Sequence, residues 1–291
     1  MAKGRVDAQA RQGYALIAPP FLYTLLVLAA PLLTLLIYSF FFFKVGYGDL
    51  ATGFTLENYR QIWADPIFRA IMQRSLWVSG LVTVVTVVLA FPIAYYVSFV
   101  VKPERKALWL FLITIPFWTS YLIRVFLWKV ILEQNGVVNS VLLGTGITDQ
   151  PLIMLRTVGA IVATLAHAYA PFAILPIFVA LERIDRSLLE AGRDLGESRL
   201  MTFWRVTLPL AMPGVIAAAL IVFIPTVGDY VTPELVGGGR IPMVANFIQV
   251  QMLGLDNRPL GSAMSVSAML AVAVVSAIFL LLNRRFLKVR T

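Results

Sequence analysis

Six long runs of apolar residues constrain this chain more than any other feature of its sequence. A helix needs about 20 mostly apolar residues to cross the hydrocarbon core of a bilayer, and six segments reach that length. They cover residues 14–43, 76–101, 107–130, 157–180, 208–231 and 260–282. Only 13% of the 291 residues are charged, whereas soluble domains have about a quarter. The sequence therefore predicts an all-α, polytopic membrane protein with six transmembrane helices in one domain, residues 14–283.

Basic residues in the connecting segments predict the orientation. Lysine and arginine recur in segments 1–13, 102–106, 181–207 and 284–291, which alternate with the longer loops. Because loops on the cytoplasmic side carry an excess of these residues, the four segments are expected to be cytoplasmic. Both termini are then cytoplasmic tails, 1–13 and 284–291. The net charge of +9 has this explanation, and no nucleic-acid-binding motif accompanies it.

Several chemistries are excluded or disfavoured by composition. The chain has no cysteine, so it forms no disulfide and offers no thiolate. Its one histidine, His167, excludes most His-based metal sites and argues against a Ser-His-Asp hydrolase. The phosphate-binding pattern G-x-x-x-x-G-K-[ST] does not occur. The chain is therefore expected to bind neither a metal nor a cofactor.

The first outer loop contains the segment FTLENYRQIWADPIFRAI. Ile62, Phe68 and Ile71 alternate there with charged residues, which indicates either a helix lying at the membrane surface or a solvated loop.

The loop before the fifth run differs from all the others. Residues 181–214 carry five arginines and five acids, yet Ile184, Leu188, Leu189 and Leu195 form an apolar stripe at helical spacing. This pattern predicts two short amphipathic helices joined at Gly196. Such a pair can rest on lipid headgroups, pack on its own bundle, or bind a cytoplasmic partner, and composition leaves the three uses open.

The spacing within this loop resembles the EAA loop of ABC importer permeases. That pattern is E-A-A, three residues, G, nine residues and I-x-L-P; here Glu190–Gly192, Gly196 and Val206–Pro209 fall in register. Gly192 replaces the second alanine and Val206 replaces isoleucine. The resemblance implies the type I (MetI-like) importer transmembrane domain, in which this loop (181–207) forms a coupling helix in a cleft of a cytoplasmic ATPase.

The resemblance also assigns residues and partners. The ATPase, a separate chain present in two copies, would bind ATP and Mg, so this chain is no enzyme by itself. Gly196 would permit the turn, Pro209 would begin the fifth span, and Glu190 would be held near the turn by local hydrogen bonds or an arginine. The expected coupling residues are Leu189, Glu190, Ala191, Gly192, Asp194, Leu195, Gly196, Leu208 and Pro209.

Four further segments are similar to the spermidine/putrescine group of these permeases: LENY (56–59), residues 116–139, EAGRDLG (190–196) and residues 222–238. The group implies a bacterial inner-membrane protein that pairs with a second homologous permease and receives substrate from a periplasmic or lipid-anchored binding protein. A homodimer stays open. So does another small cationic or nitrogenous solute as the substrate.

A polyamine pathway should offer carboxylates and aromatic faces, which attract ammonium groups. Asp229 is the only acid within a predicted span, and charge at that depth favours a functional role. The candidate pathway residues are Asp229, Tyr230, Glu234, Trp118, Tyr121 and Tyr169. In the alternative, Asp229 pairs with Arg124, and Trp118 and Tyr121 belong to the interfacial aromatic belt. His167 is expected to be a hydrogen-bonded helix contact.

Two other classes of protein are compatible with six spans. A secondary transporter or channel would need coupling charges among its own helices, but charge inside these spans is sparse. An intramembrane enzyme would need a catalytic constellation, which one histidine and one aspartate on different spans do not supply.

Overall fold

The computed structural model describes residues 2–42 and 53–287, which are predominantly helical. The helices are α1 (Ala2–Ser39), α2 (Glu57–Ala64), α3 (Pro66–Phe99), α4 (Pro103–Thr114), α5 (Tyr121–Ile131), α6 (Val137–Gly144), α7 (Val158–Glu182), α8 (Arg186–Asp194), α9 (Arg199–Thr202), α10 (Leu208–Val227), α11 (Val231–Leu235), α12 (Val244–Gln249), α13 (Arg258–Leu282) and α14 (Arg284–Leu287). A 3-10 turn covers Ile115–Trp118, and wider π-helical turns cover Phe203–Thr207 and Val250–Gly254. Residue 43 of the first predicted span and residues 288–291 of the predicted C-terminal tail lie outside the described residues.

Among the described residues, five helical segments are long and apolar enough to cross a membrane. They are Tyr14–Ser39, Pro66–Phe99, Val158–Glu182, Arg199–Val227 and Arg258–Leu282. A sixth is obtained if the bent pair Pro103–Trp118 and Tyr121–Ile131 is one span. The predicted all-α, multi-pass fold is confirmed, whereas the cytoplasmic position of the termini stays a prediction.

The third predicted span, 107–130, is not one continuous helix. Its two halves meet at an angle of 88°. Pro116 has no N–H to donate and lies in the 3-10 turn, after which Thr119 and Ser120 adopt extended backbone angles. Ser120 then precedes the first residue of α5. The apolar composition of the segment predicted its membrane character but did not reveal this bend.

The chain divides into two compact units. The smaller one comprises the described residues up to Asp65 together with Val250–Ser267. Within it, Asn58 of α2 donates from Nδ2 to the carbonyl oxygens of Ser39 and Phe41, at 2.9 and 2.7 Å. Strands β1 (Phe41–Phe42) and β2 (Gly53–Phe54) form a short antiparallel pair with Phe41 opposite Phe54. These contacts fix α2 to the end of α1.

The loop prediction for residues 55–71 needs a correction. Ile62, Phe68 and Ile71 are buried in the protein, so they neither lie on a membrane surface nor point into solvent. The first belongs to α2 and the other two to the first two turns of α3, which begins about ten residues before the predicted span. The apolar residues of this segment therefore pack inside the protein.

The larger unit has α3, α7 and α10 at its centre. Their buried apolar side chains form one core, which includes Val82, Leu165 and Val222. Gly214 marks a close approach of α7 and α10, because a Cβ atom there would lie 2.5 Å from both the Ala180 Cβ and the Pro176 carbonyl oxygen. Small residues at such crossings let membrane helices pack closely. This core is the frame to which both candidate sites are attached.

Candidate functional site

The first candidate site is the helical hairpin formed by α8 and α9. Asp185 begins it, because its Oδ1 atom accepts the backbone N–H of Ser187 at 3.0 Å and so caps α8. Hydrogen bonding to Ser187 holds the pKa of the Asp185 carboxyl below its usual range. The preceding Ile184 is buried in the core of the larger unit. The direction in which α8 leaves α7 is therefore fixed by a cap on one side and by packing on the other.

The predicted apolar stripe is packed only in part, because Leu188 is exposed as well as the charged side chains. Leu189 packs against the core of the larger unit, whereas Glu190, Ala191 and Asp194 are exposed. Gly192 is buried beside α9, and a Cβ atom there would meet the Thr202 Cγ2 atom at 3.4 Å, an ordinary contact distance. The prediction had Leu189 facing a partner protein. In the structure it faces its own bundle.

The turn between α8 and α9 is a Schellman motif. The N–H of Gly196 donates to the carbonyl of Arg193 at 2.9 Å, and the N–H of Glu197 donates to the carbonyl of Gly192 at 3.1 Å. Gly196 has φ = +84°, a left-handed conformation that residues with a Cβ atom adopt only with strain. The expectation that Gly196 permits the sharp turn therefore has a definite geometry.

An ion pair that the sequence did not reveal closes the hairpin. Glu197 Oε1 lies 3.0 Å from an Arg205 guanidinium nitrogen, so the first residue after Gly196 is tied to the start of the next long helix. Ser198 caps α9 by accepting the N–H of Met201 at 3.3 Å. Glu190 was expected to be the acid held near the turn. The structure leaves it exposed and gives that position to Glu197.

Leu208 and Pro209 are the first two residues of α10, as expected for Pro209, and a π-helical turn directly precedes them. The candidate span is continuous from Arg199 to Val227, so Pro209 lies inside it. A proline inside a helix lacks an N–H and clashes with the carbonyl four residues earlier. The wider turn at Phe203–Thr207 supplies the local irregularity that accommodates this ring.

Three large apolar side chains near the hairpin turn are exposed. Leu195 is 85% exposed, Leu200 68% and Trp204 59%. Exposed apolar groups clustered among charged residues are typical of protein–protein contacts. Of these three residues, only Leu195 is among the coupling residues that the sequence predicted. The other two were missed because their helical phase becomes clear only once the turn at Gly196 is fixed.

The second candidate site lies where α5, α7 and α11 meet. The hydroxyl of Tyr121 is 2.8 Å from Thr232 Oγ1. Asp229 is almost fully buried, and its two carboxylate oxygens accept the N–H groups of Val231 at 3.1 Å and Thr232 at 3.3 Å. The carboxylate also interacts with the side chains of Tyr121 and Tyr169. The structure thus brings together three of the six predicted pathway residues.

Arg124 does not pair with Asp229 in the described part of the chain. Its Nη1 atom donates to the carbonyl of Pro116 at 2.8 Å, and its guanidinium carbon lies 5.3 Å from the centre of the Phe117 ring. Through these contacts Arg124 stabilises the bend between α4 and α5. The salt bridges formed by residues 53–287 do not include the predicted alternative.

Aromatic rings extend this site along α7. The Phe172 ring packs edge-on against Phe117, with centroids 4.4 Å apart, and lies 6.0 Å from the Tyr169 ring. One turn away, the indole N–H of Trp128 donates to Nδ1 of His167 at 3.1 Å. His167 is thus the hydrogen-bonded helix contact that the sequence predicted.

The other three pathway residues stand apart from this cluster. Trp118 is 78% exposed and packs edge-on against Phe111. Tyr230 has an exposed ring and contributes its carbonyl oxygen, which accepts from Asn246 Nδ2 at 2.9 Å. Glu234 lines a cavity of about 360 Å³ together with Lys129, Glu133 and Arg156.

Comparison with known proteins places this arrangement in context. Residues 14–288 match the family described as "Binding-protein-dependent transport system inner membrane component". The spermidine/putrescine transport system permease protein PotB of Haemophilus influenzae is 36% identical over 265 residues, covering 90% of this chain and 89% of the relative. PotB of Escherichia coli K12 is 35% identical over 226 residues, covering 78% and 82%. The inner membrane ABC transporter permease protein YdcU of the same strain is 30% identical over 277 residues, covering 91% and 87%.

Solved structures share the fold. A bacterial ABC transporter that imports the acidic polysaccharide alginate superposes with a TM-score of 0.73 at 17% identity, covering 99% of this chain and 100% of the other. The alginate transporter in complex with a pentasaccharide-bound periplasmic protein gives the same TM-score, with 98% coverage of both chains. At this identity the likeness concerns the fold alone.

Proposed function

The chain belongs to the family of binding-protein-dependent transport system inner membrane components, and on that premise we propose that it translocates polyamines, with putrescine and spermidine as substrates. It is a permease subunit of an ABC importer, not an enzyme in its own right. The relatives that support a polyamine substrate are 35–36% identical over most of the chain and are named as spermidine/putrescine permeases.

The site around Tyr121 suits an ammonium group. Aromatic faces attract cations through their ring quadrupole. Tyr121 and Tyr169 supply such faces near one carboxylate, and Phe172 packs beside Tyr169. Asp229 gives this surface its negative charge, although its oxygens also accept two backbone N–H groups. A diamine or triamine passing along α5 and α7 would exchange part of its hydration shell for these rings.

The observation that carries the coupling part of the proposal is the hairpin turn at Gly196. A left-handed glycine presents Leu195, Leu200 and Trp204 at one end of the larger unit, and an ATPase cleft of complementary shape would cover them. ATP and Mg would bind to that ATPase. Its closure would move α8, and the motion would reach the transport path because Ile184 and Leu189 belong to or pack against the core shared by α3, α7 and α10.

The remaining partners follow from the same proposal. The complex would contain a second homologous permease, two ATPase copies and a periplasmic or lipid-anchored binding protein that delivers the polyamine. The α8 end of the larger unit would face the cytoplasm of a bacterial cell, and the Tyr121 site would lie toward the outer face of the inner membrane.

Uptake into proteoliposomes tests the proposal. The chain, its second permease and the ATPase are reconstituted, and labelled putrescine or spermidine is supplied with the binding protein on one side and ATP on the other. We expect uptake that requires hydrolysable ATP and is lost in Gly196→Pro. If a binding protein of another specificity stimulates ATP hydrolysis and no polyamine is taken up, the polyamine substrate is rejected. The assignment to an ABC importer is then retained.

A further inference from the structure

A polar cluster joins the ends of four helices near the start of α8. Lys106 Nζ lies 2.6 Å from Glu182 Oε1 and donates to the carbonyl of Ser98 at 2.8 Å. The Ser98 hydroxyl donates to the same Glu182 oxygen at 2.6 Å, and an Arg186 nitrogen lies 3.5 Å from the Ser98 carbonyl. We refer to these residues as the Lys106 cluster. They belong to α3 (Ser98), α4 (Lys106), α7 (Glu182) and α8 (Arg186).

The cluster places a positive charge beside the negatively polarised C-terminal ends of α3 and α7. Ser98 is in the last turn of α3, where carbonyl groups have no intrahelical donor, and Glu182 is the last residue of α7. A carboxylate at the negative end of a helix dipole is unfavourable unless a cation is close. Lys106 supplies this cation, and its side chain is only 14% exposed. Both helix ends therefore depend on one ammonium group from α4.

The other contacts of α4 make this attachment more important. The helix has no fully buried residue: Ile113 packs partly against the core and the Trp109 ring lies 5.7 Å from that of Tyr96, so the Lys106 contacts add to light apolar packing. Through the 3-10 turn and the bend, α4 continues into α5, which begins with Tyr121. Lys106 and Tyr121 therefore belong to one continuous stretch of chain, on either side of the bend.

We infer that the Lys106 cluster is the positioning element that transmits movement of α8 to α4 and hence to the Tyr121 site. This inference rests on the proposed coupling role of α8. Movement of α8 displaces Arg186 and the adjoining end of α7, and Glu182 carries Lys106 with it. In this way α4, which has no fully buried residue, moves together with the hairpin.

The amount of polyamine taken up per ATP hydrolysed by the complete reconstituted complex tests the inference. In Lys106→Met, which keeps length and removes the charge, we expect this ratio to fall about tenfold, equivalent to ~1.4 kcal/mol of lost linkage. Lys106→Arg keeps the charge and the donors and should restore most of the ratio. Lys102→Met, at an exposed lysine one turn earlier, is the matched control and should leave the ratio unchanged.

Two results would overturn the inference. One is a wild-type ratio in Lys106→Met. The other is loss of the assembled complex in both Lys106→Met and Glu182→Gln, which would assign the cluster to folding alone. If only Lys106→Met fails to assemble, Glu182→Gln must show the lowered ratio, and a wild-type ratio in that variant rejects the inference as well.

A second readout separates this inference from the polyamine proposal. Amide hydrogen exchange at residues 104–107 is followed in the assembled complex with and without ATP. We expect ATP to change exchange there in the wild type and not in Lys106→Met, whichever solute is carried. If the ATP-dependent change in exchange persists in Lys106→Met, movement is not transmitted through the cluster. If the wild-type complex shows the change in exchange but takes up no polyamine, only the polyamine substrate is rejected.

Discussion

The hydroxyl oxygen of Tyr121 lies 2.8 Å from Oγ1 of Thr232, and this contact joins the first turn of α5 to α11. Thr232 also donates its backbone N–H to Asp229, so one short segment connects the aromatic ring, the hydroxyl and the carboxylate. The geometry of the candidate polyamine site therefore depends on a hydrogen-bonded chain that joins α5 to the segment from Asp229 to α11.

Replacing Tyr121 with phenylalanine should test that dependence. The ring remains as a cation-attracting face, but the hydroxyl is lost, and a hydrogen bond of this kind contributes about 0.5–1.5 kcal/mol. We expect the free energy of unfolding of the purified complex to fall by this amount. We also expect the spermidine concentration that gives half-maximal uptake to rise. Tyr230→Phe is the control, because Tyr230 contributes its backbone carbonyl, and equal effects of both substitutions would contradict the prediction.

Asp229 has two roles that different substitutions separate. Asparagine still accepts a backbone N–H and is a good helix cap, whereas alanine is not, and losing the cap costs about 0.5–2 kcal/mol. We expect Asp229→Asn to assemble normally and to lower spermidine uptake, and Asp229→Ala to reduce the amount of assembled complex as well. Uptake by Asp229→Asn equal to that of the wild type would assign the carboxylate to capping alone. Quantified complex and initial uptake rates distinguish these outcomes.

Local patterns predicted the hairpin well because its determinants are local. Ile184 and Leu189 give the start of the hairpin its packed side, although Leu188 of the predicted stripe is exposed, and Gly196 is a residue type that the left-handed turn position favours strongly. The long apolar runs predicted the membrane spans for the same reason: a length and a composition are sufficient to identify them.

Contacts between distant segments were beyond the reach of the sequence. Lys106 and Glu182 are far apart in the chain, and nothing in either neighbourhood indicates the other. The 88° bend at Thr119 and Ser120 is another case, since extended angles at two polar residues interrupt a segment whose composition favours one helix. Arg124 braces this bend, a role that only the folded geometry reveals.

Serine at two leucines of the hairpin should affect different properties: ATPase binding at Leu195 and stability at Leu189. Leu195 is 85% exposed, so Leu195→Ser should change the free energy of unfolding by no more than about 0.5 kcal/mol while weakening ATPase binding. Leu189 is partly buried against the core, so Leu189→Ser should destabilise the permease by about 1 kcal/mol, roughly half the value for a fully buried leucine. Thermal unfolding of the permease and co-purification of the ATPase measure the two effects. Full ATPase binding by Leu195→Ser would remove this residue from the proposed contact.

Alanine at two glycines four residues apart should have effects of opposite sign. Gly196 has φ = +84° with open space around its missing side chain, so Gly196→Ala costs about 1–2 kcal/mol through backbone conformation alone. Gly192 lies within α8, and its added Cβ would meet Thr202 at an ordinary 3.4 Å. Gly192→Ala should therefore stabilise the hairpin by about 0.5–1 kcal/mol and retain transport. Thermal unfolding and uptake per ATP, measured on both variants, check the pair. A destabilised Gly192→Ala would mean that α9 cannot give way at Thr202, and an undisturbed Gly196→Ala would mean that the turn does not hold its left-handed form in the working complex.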